Sequence, residues 1–469
     1  MRILLPTGEA TAGVVRKAAE GFDADVVVTG EIAAFLTPEK LQGLVESGDY
    51  DVVLVSGMST ASFASVEEET GVPVYRGPRH AADLAMILPL LGKVALSRDI
   101  PADELFAAER RDAAYRRLST LEDAAEPEII LRGTKIGGGS RMKVLAEIMD
   151  AHRHPALRAA VEDFFVRGAD IVDLGFGFDA SSSDVGRCFA ALDGIEGPLA
   201  ADTQDPALIR AALCRADLIL SLHEGNIPLV GEEVAAAGVA AVVVPGAAGL
   251  AANLRAAQDA GISALLADPL LQPAGSGLVA SLCEFSDAGV PLFFGAGNVT
   301  ELIDADSVGV NALLAACAHE VGASVVFTSE HSDKTRGSVA EMRRATEMMA
   351  AMGEHPYPKD LGIDLLVLKE KRRRREPLPA GEALDVAPAP DAFTPDPAGN
   401  IRIAVDGGWI LVEHRGTVYQ GRTAAALAAA LLEGGCVTRL DHAAYLGREL
   451  ARAEVAVQFG RSYVQDGPF

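Results

Sequence analysis

Three aspartates each stand where a short apolar run gives way to a loop: Asp173 in Ile171–Leu174, Asp202 after Leu199–Ala201, and Asp268 after Ala264–Ala267. Asp173 belongs to the stretch Gly168–Asp184, GADIVDLGFGFDASSSD, in which a buried-type run empties into a glycine-serine loop. An ionised carboxylate only accepts hydrogen bonds, and one carboxylate takes two parallel donors, as it takes the fork of an arginine. Asn226 and Asn298 follow two further apolar runs and offer a donor and an acceptor each. Gathered on one rim, these groups suit a flat, hydrogen-bonding heterocycle, and buried acids there stabilise cationic character on a ring as a leaving group departs. Metal binding is the competing use of acids. These lie on separate runs without local ligand spacing, which leaves hydrated Mg2+ entering with a diphosphate substrate as the metal chemistry open to them. For an anion, the candidates are Lys135, the Gly137-Gly138-Gly139 turn and Arg141, with Lys334 and Arg336 as second choices. Free backbone N–H groups at a helix start attract phosphate.

Taken singly, each of these residues is more often a cap or a turn residue, so the elements behind them decide. From about Glu128 eight apolar strand candidates follow one another: Ile129–Arg132, Ile171–Leu174, Leu199–Ala201, Leu218–Leu220, Ala241–Val244, Ala264–Ala267, Leu292–Phe294 and Ser324–Phe327. Segments of helical period separate them, among them Arg141–Ala151, Pro206–Cys214, Ala247–Gln258 and Val308–Val321. Eight such units in roughly 230 residues match a (β/α)8 TIM barrel, with an open doubly wound sheet as the alternative. In either architecture ligands sit at the C-terminal strand ends, where Asp173, Asp202, Ser221, Asp268, Asn298 and the Ser329–Lys334 segment fall.

The flanks differ in scale. Residues 1–125 alternate strands (Ile3–Leu5, Ala24–Val28, Val52–Val55, Val72–Tyr75) with helical stretches, which predicts a small α/β domain with a parallel sheet. Their glycine turns complete no nucleotide fingerprint. Leu105–Glu122 reads as a connecting helix into the barrel, residues 126–376. An apolar run, Asp364–Leu368, then precedes the basic run Lys369–Arg375, and residues 377–397 read as a linker. Residues 398–469 read as an α+β domain: Ile401–Val405 and Trp409–Glu413 flank an Asp-Gly-Gly hairpin, and helices follow through Ala424–Leu432 and Asp441–Phe459. His442 and Glu449, at helical spacing, predict an ion pair on one helix face or a second polar site.

A formal charge of −25 argues against nucleic acid and anionic membrane as partners, since both require cationic surface. The basic run, with no interleaved aromatics, fits a solvated segment. Five scattered cysteines form neither a disulfide framework nor a zinc site. With no apolar run of spanning length and no signal peptide, a cytoplasmic protein is expected.

At the strand ends the sequence resembles the pterin-binding barrel family, which includes dihydropteroate synthases and pterin-dependent methyltransferases. Gly168–Gly175 is similar to its second-strand motif, Ala201-Asp202-Thr203 with Asp205-Pro206 to its third, Ala216–Leu220 to its fourth and Ala267-Asp268-Pro269 to its sixth. The resemblance implies that Asp173, Asp202 and Asp268 line a pterin pocket, with Asp268 on the 2-amino and N3 edge. Four motifs depart from the synthases: Ser221 stands for Asn, Gly295–Thr300 lacks Ser-Arg-Lys, Thr328–Lys334 lacks Arg-x-His, and Arg132–Lys135 lacks Asn-Val-Thr-Pro. Asn298 looks more like the methyltransferase branch, and Asn226 is placed to substitute for the missing Asn. Asp441–Glu449 and Tyr463–Asp466 resemble the C-terminal domain of dihydropteroate synthase-related proteins of methanogens and methylotrophs.

The resemblance implies a homodimer and a transferase condensing a pterin 6-methyl diphosphate with an arylamine, in folate or tetrahydromethanopterin biosynthesis. The alternatives are one-carbon transfer with a reduced methanopterin and a non-catalytic pterin-binding role. The chain holds no cobalamin-binding Asp-x-His-x-x-Gly motif, so methyl transfer would need a partner.

Overall fold

A computed structural model describes residues 1–353, 357–359, 361–370, 384–386 and 394–467. The basic run from Lys371 to Arg375 and most of the 377–397 linker lie outside the described residues. The chain divides into two compact units, Met1–Leu378 and Pro379–Phe469.

The first unit opens with four parallel strands, β1 (Ile3–Gly8), β2 (Ala24–Gly30), β3 (Val52–Val55) and β4 (Val74–Arg76), in the order β2-β1-β3-β4. Helices pack on both faces: Leu41, Val45 and Val66 against one side, Val15, Leu84 and Leu88 against the other. The helix Ala102–Ala124 then carries the chain to an antiparallel hairpin, β5 (Ile129–Leu131) with β6 (Thr134–Ile136), and on to the barrel.

Eight parallel strands close the barrel: β7 (Lys143–Ile148), β8 (Ile171–Gly175), β9 (Leu199–Asp202), β10 (Leu218–Leu222), β11 (Ala240–Val243), β12 (Leu265–Ala267), β13 (Leu292–Phe294) and β14 (Ala323–Ser329). Pairing of β14 with β7 completes the ring. Seven of these strands overlap the sequence expectation; the first does not. Ile129–Leu131 belongs to the hairpin, and the segment expected as a helix, Arg141–Ala151, supplies the true first strand. The apolar run Asp364–Leu368 forms no regular element.

The β5–β6 hairpin has a definite job. Ile129, Leu131 and Ile136 join Leu145, Ile171, Ala200, Leu218, Leu266, Phe293 and Val325 in one interior cluster. The hairpin therefore plugs the N-terminal end of the barrel with apolar side chains. The triple glycine makes the plug fit: Gly137, Gly138 and Gly139 all have positive φ, and a β-carbon on Gly138 would stand 1.7 Å from the Glu126 carbonyl oxygen.

The second unit is a three-stranded antiparallel sheet, β15 (Ile401–Asp406), β16 (Trp409–His414) and β17 (Thr417–Gly421), covered by helices Ala424–Glu433 and Leu440–Gln458. Ile403, Ile410 and Val412 meet Leu427, Leu446 and Leu450 in its core. His442 and Glu449 do not pair with each other. The imidazole Nδ1 lies 2.9 Å from Asp396, while the fully buried Glu449 takes the Arg452 guanidinium and the Tyr463 hydroxyl. Each finds a nearer partner than the other, so the helical spacing alone does not pair them.

Candidate functional site: an acidic barrel mouth

Side chains alternate inward and outward along a strand, so the interior layer at the plug end determines the next one. Leu145, Ile171, Ala200 and Leu266 point into the barrel, whereas Ala146, Val172, Ala201 and Ala267 face the helices. Two residues further on, Glu147, Asp173, Asp202 and Asp268 therefore occupy the next interior layer, at the C-terminal mouth. Strand register places Glu147 beside Asp173 and Gly175 beside Asp202. One carboxylate oxygen from each of Glu147, Asp173 and Asp202 falls within 4.8 Å of the others.

Asp173 is wholly buried, and neither of its oxygens has a hydrogen-bond partner among the described residues. A buried polar atom without a partner costs about 1–3 kcal/mol, so this carboxyl is a standing demand for donors. Ser221 adopts φ 70, in the left-handed region that a non-glycine residue rarely enters. That twist breaks the β10 register and sends the hydroxyl to donate to Asp202 Oδ1 at 3.2 Å. Asp268 accepts from the backbone N–H of Leu270 at 2.8 Å, which anchors one of its oxygens.

Burial, and after it mutual repulsion, makes these groups weak acids. Burial followed by the Asp202, Asp150 and Glu301 charges pushes Glu147 up to about 8. Burial and then Asp202 push Asp268 up to about 7. Asp173 is held well above the carboxylate range by burial, Asp202 and Glu147, and burial raises Asp202 against the Ser221 hydrogen bond. No cation is among these causes. A carboxyl with a raised folded-state pKa stabilises the fold fully below its unfolded value near 4, and that stability is lost as pH rises through the folded value. Melting temperature of the free protein is thus expected to fall from about pH 5 to about pH 9, Asp268 contributing at most roughly 4 kcal/mol, and Asp268→Asn should flatten the curve. Scanning calorimetry across that range checks this, and a pH-independent midpoint would contradict it.

Among the expected pterin residues, the structure gathers Asp173, Asp202 and Asp268. Asn298 lies in the short helix Gly297–Thr300 after β13, its Nδ2 only 3.0 Å from where a β-carbon on Gly295 would stand. Gly295 follows Phe293 on the interior side, so the exposed Asn298 amide lies close to the β13 end. Asn226 is otherwise engaged: its Oδ1 accepts from the His223 N–H, and its Nδ2 donates to the Gln204 and Ser221 carbonyls. It shapes the loop after β10 and has little hydrogen-bonding capacity left for a ligand.

The expected anion site is corrected. Lys135, Gly138, Gly139 and Arg141 belong to the plug, at the opposite end of the barrel from the acids. Lys135 Nζ donates to the Glu122 and Ala125 carbonyls, and Arg141 binds Asp170 at 2.7 Å and the Met142 carbonyl. The triple glycine turns back toward the carboxylate of Glu128, a poor neighbour for an anion. Lys334 does lie beyond the β14 end, paired with Asp304 at 3.0 Å. Glu147 is the residue that sequence reasoning missed. Its signal is the Leu145/Glu147 alternation, which a helical reading of the segment conceals.

The family described as PterinBD-DUF4346 matches residues 395–466. "Uncharacterized protein MJ0107" of Methanocaldococcus jannaschii is 32% identical over 516 residues, covering 99% of this chain and 98% of its own. A Ycf91-like protein of Nostoc sp. is 58% identical over 53 residues, 11% of this chain and 42% of its own. Among solved structures, dihydropteroate synthase (FolP) from Thermus thermophilus is 21% identical, with a TM-score of 0.37, covering 44% of this chain and 92% of that one. Mycobacterium tuberculosis Rv1207 is 22% identical, with a TM-score of 0.39, covering 48% and 98%. Among the described residues no helix is long and apolar enough to cross a membrane.

Proposed function

The chain belongs to the family of the methanogen relative, and from that premise we propose that it is a pterin-binding TIM-barrel protein whose mouth binds a pterin for a dihydropteroate synthase-like transfer. The carrying observation is the fully buried, unpartnered Asp173 among three further weak acids. An amino-pyrimidinone edge presents parallel N–H donors, the complement such a layer lacks. Asp268 takes the 2-amino and N3 edge, Asp173 and Asp202 take the remaining ring donors, and Glu147 closes the fourth side. Asn298 supplies an amide that donates and accepts.

In this reading the arylamine nitrogen attacks the methylene on C6 of the pterin and the C–O bond to diphosphate breaks. The electron pair leaves with diphosphate, which also takes up the proton lost from nitrogen. The acids stabilise positive character spreading into the ring as that bond lengthens. Mixing a pterin 6-methyl diphosphate with p-aminobenzoate should release diphosphate, detected by a coupled phosphate assay. Release no faster than in buffer at high protein concentration would contradict the transferase assignment.

One observation favours a second reading, binding of a reduced methanopterin for methyl transfer or carriage in one-carbon metabolism. Of the cations expected to hold diphosphate, Lys135 and Arg141 lie in the plug and Lys334 is paired with Asp304, while Asn298 lies just past the β13 end, where an amide can assist protonation of a ring nitrogen. A reduced methanopterin binding more tightly than the pterin diphosphate would select it.

A further inference from the structure

Beside the acid layer, the loops after β7 and β8 bring together a second group of side chains. Asp150, His152 and Asp179 each offer a ligand atom, all within 4.8 Å of one another. Only 5% of the His152 side chain is exposed, yet neither ring nitrogen has a hydrogen-bond partner among the described residues. Its Nε2 faces Asp179 Oδ1 at 3.4 Å, an ion-pair distance for a protonated ring but out of line for a hydrogen bond. Buried imidazoles are normally hydrogen-bonded, so a ring that lies against two carboxylates without a hydrogen bond at either nitrogen points to a missing partner. Gly177 opens the space for convergence. A β-carbon there would stand 2.7 Å from Asp150 Oδ1, 3.2 Å from Asp179 Oδ1 and 3.8 Å from His152 Cε1. Arg153 binds the other oxygen of Asp179 and leaves Oδ1 turned to the ring.

We propose that Asp150, His152 and Asp179 form a binding site for a divalent transition-metal ion of the Mn2+ class. Two carboxylates and one imidazole are an oxygen-rich set with a single borderline nitrogen, which suits Mn2+ or Fe2+ better than Ca2+ or a thiolate-loving metal. Three protein ligands leave coordination positions for water or for an oxygen of a bound molecule. The site adjoins the mouth, because Asp150 follows Glu147 closely in the chain and its charge is felt there. The ion brings positive charge to a rim from which Lys135 and Arg141 are absent and where Lys334 is paired with Asp304, and there it holds an anionic substituent of the mouth ligand. That last role rests on the pterin reading; the metal site itself does not.

The test is Mn2+ alone, titrated into the full-length protein and followed by electron paramagnetic resonance, without any pterin present. The wild type should take up one tightly held ion. His152→Ala should weaken it by about 100-fold or more, at least as much as losing a group that merely orients a metal ligand. Asp179→Asn, at an exposed residue with no packing role, guards against misfolding of the buried variant and should weaken Mn2+ at least about 10-fold. Asp173→Asn should leave Mn2+ affinity unchanged. No uptake at millimolar Mn2+, wild-type affinity in both loop variants, or loss of Mn2+ in Asp173→Asn would each overturn the proposal. The last outcome would put the ion among the mouth acids instead. Pterin affinity measured in metal-free buffer is a separate readout, so either claim can fail while the other stands.

Discussion

Asp268→Asn is expected to weaken pterin binding by about 100-fold or more while the protein remains folded. Two parallel charge-assisted hydrogen bonds are worth about 1.5–3 kcal/mol each, and the amide replaces one of the two acceptors with a donor. A ring N–H then meets an N–H, and the penalty exceeds the simple loss of a bond. Asp268 is 6% exposed, and its Leu270 anchor survives because the amide oxygen still accepts. Removing a carboxyl that burial pushes up to about 7 should also leave the free protein no less stable at neutral pH. Calorimetric titration of both proteins with the same pterin gives the ratio, and equal affinities would remove Asp268 from the pocket.

The largest effect on stability is expected far from the mouth. Just before β8, Asp170 receives Arg141 at 2.7 Å and Arg343 at 3.0 Å, and its second oxygen accepts the Val144 N–H at 2.8 Å. Burial alone would raise this carboxyl, but the Arg141 and Arg343 charges and the hydrogen bonds hold it below the usual carboxylate range. Arg141 is itself only 6% exposed, so Asp170→Asn strands a buried guanidinium. Breaking one side of such a pair costs about 3–5 kcal/mol. Urea unfolding should show that loss, with pterin affinity of the surviving folded protein within about 2-fold of wild type if packing at the mouth is independent of the plug. A loss under about 1 kcal/mol would mean the network is replaceable by solvent.

The two predictions concern opposite ends of one barrel, and the sequence separates those ends only in part. Strands β8 to β14 are legible because Val, Ile, Leu and Phe runs alternate with helical stretches at regular spacing. Asp173, Asp202 and Asp268 are legible because each closes such a run. The first barrel strand is not. Lys143 and Glu147 give Lys143–Ile148 the composition of a helix, and both charges answer to tertiary demands: Lys143 binds Glu122 of the incoming helix at 2.9 Å, and Glu147 completes the mouth. Ile129–Leu131, more strand-like by type, serves as a plug. Exchanging the two has a double consequence. It places Lys135 and Arg141 at the ligand end, and it hides Glu147 in a helix. Asn226 shows a different limit: an amide's type and position say nothing of whether the backbone nearby already uses its hydrogen bonds.

Weak acids that await donors define the barrel mouth, and one measurement tests them directly. Titrate the wild-type protein with a pterin at about pH 6, below the value of Asp268, in two buffers of different ionisation enthalpy. Donors on the ring favour the ionised carboxylate, so binding should release protons, and affinity should rise as pH approaches neutrality. Absence of binding, or binding with uptake of protons, would contradict the acidic mouth as a pterin site.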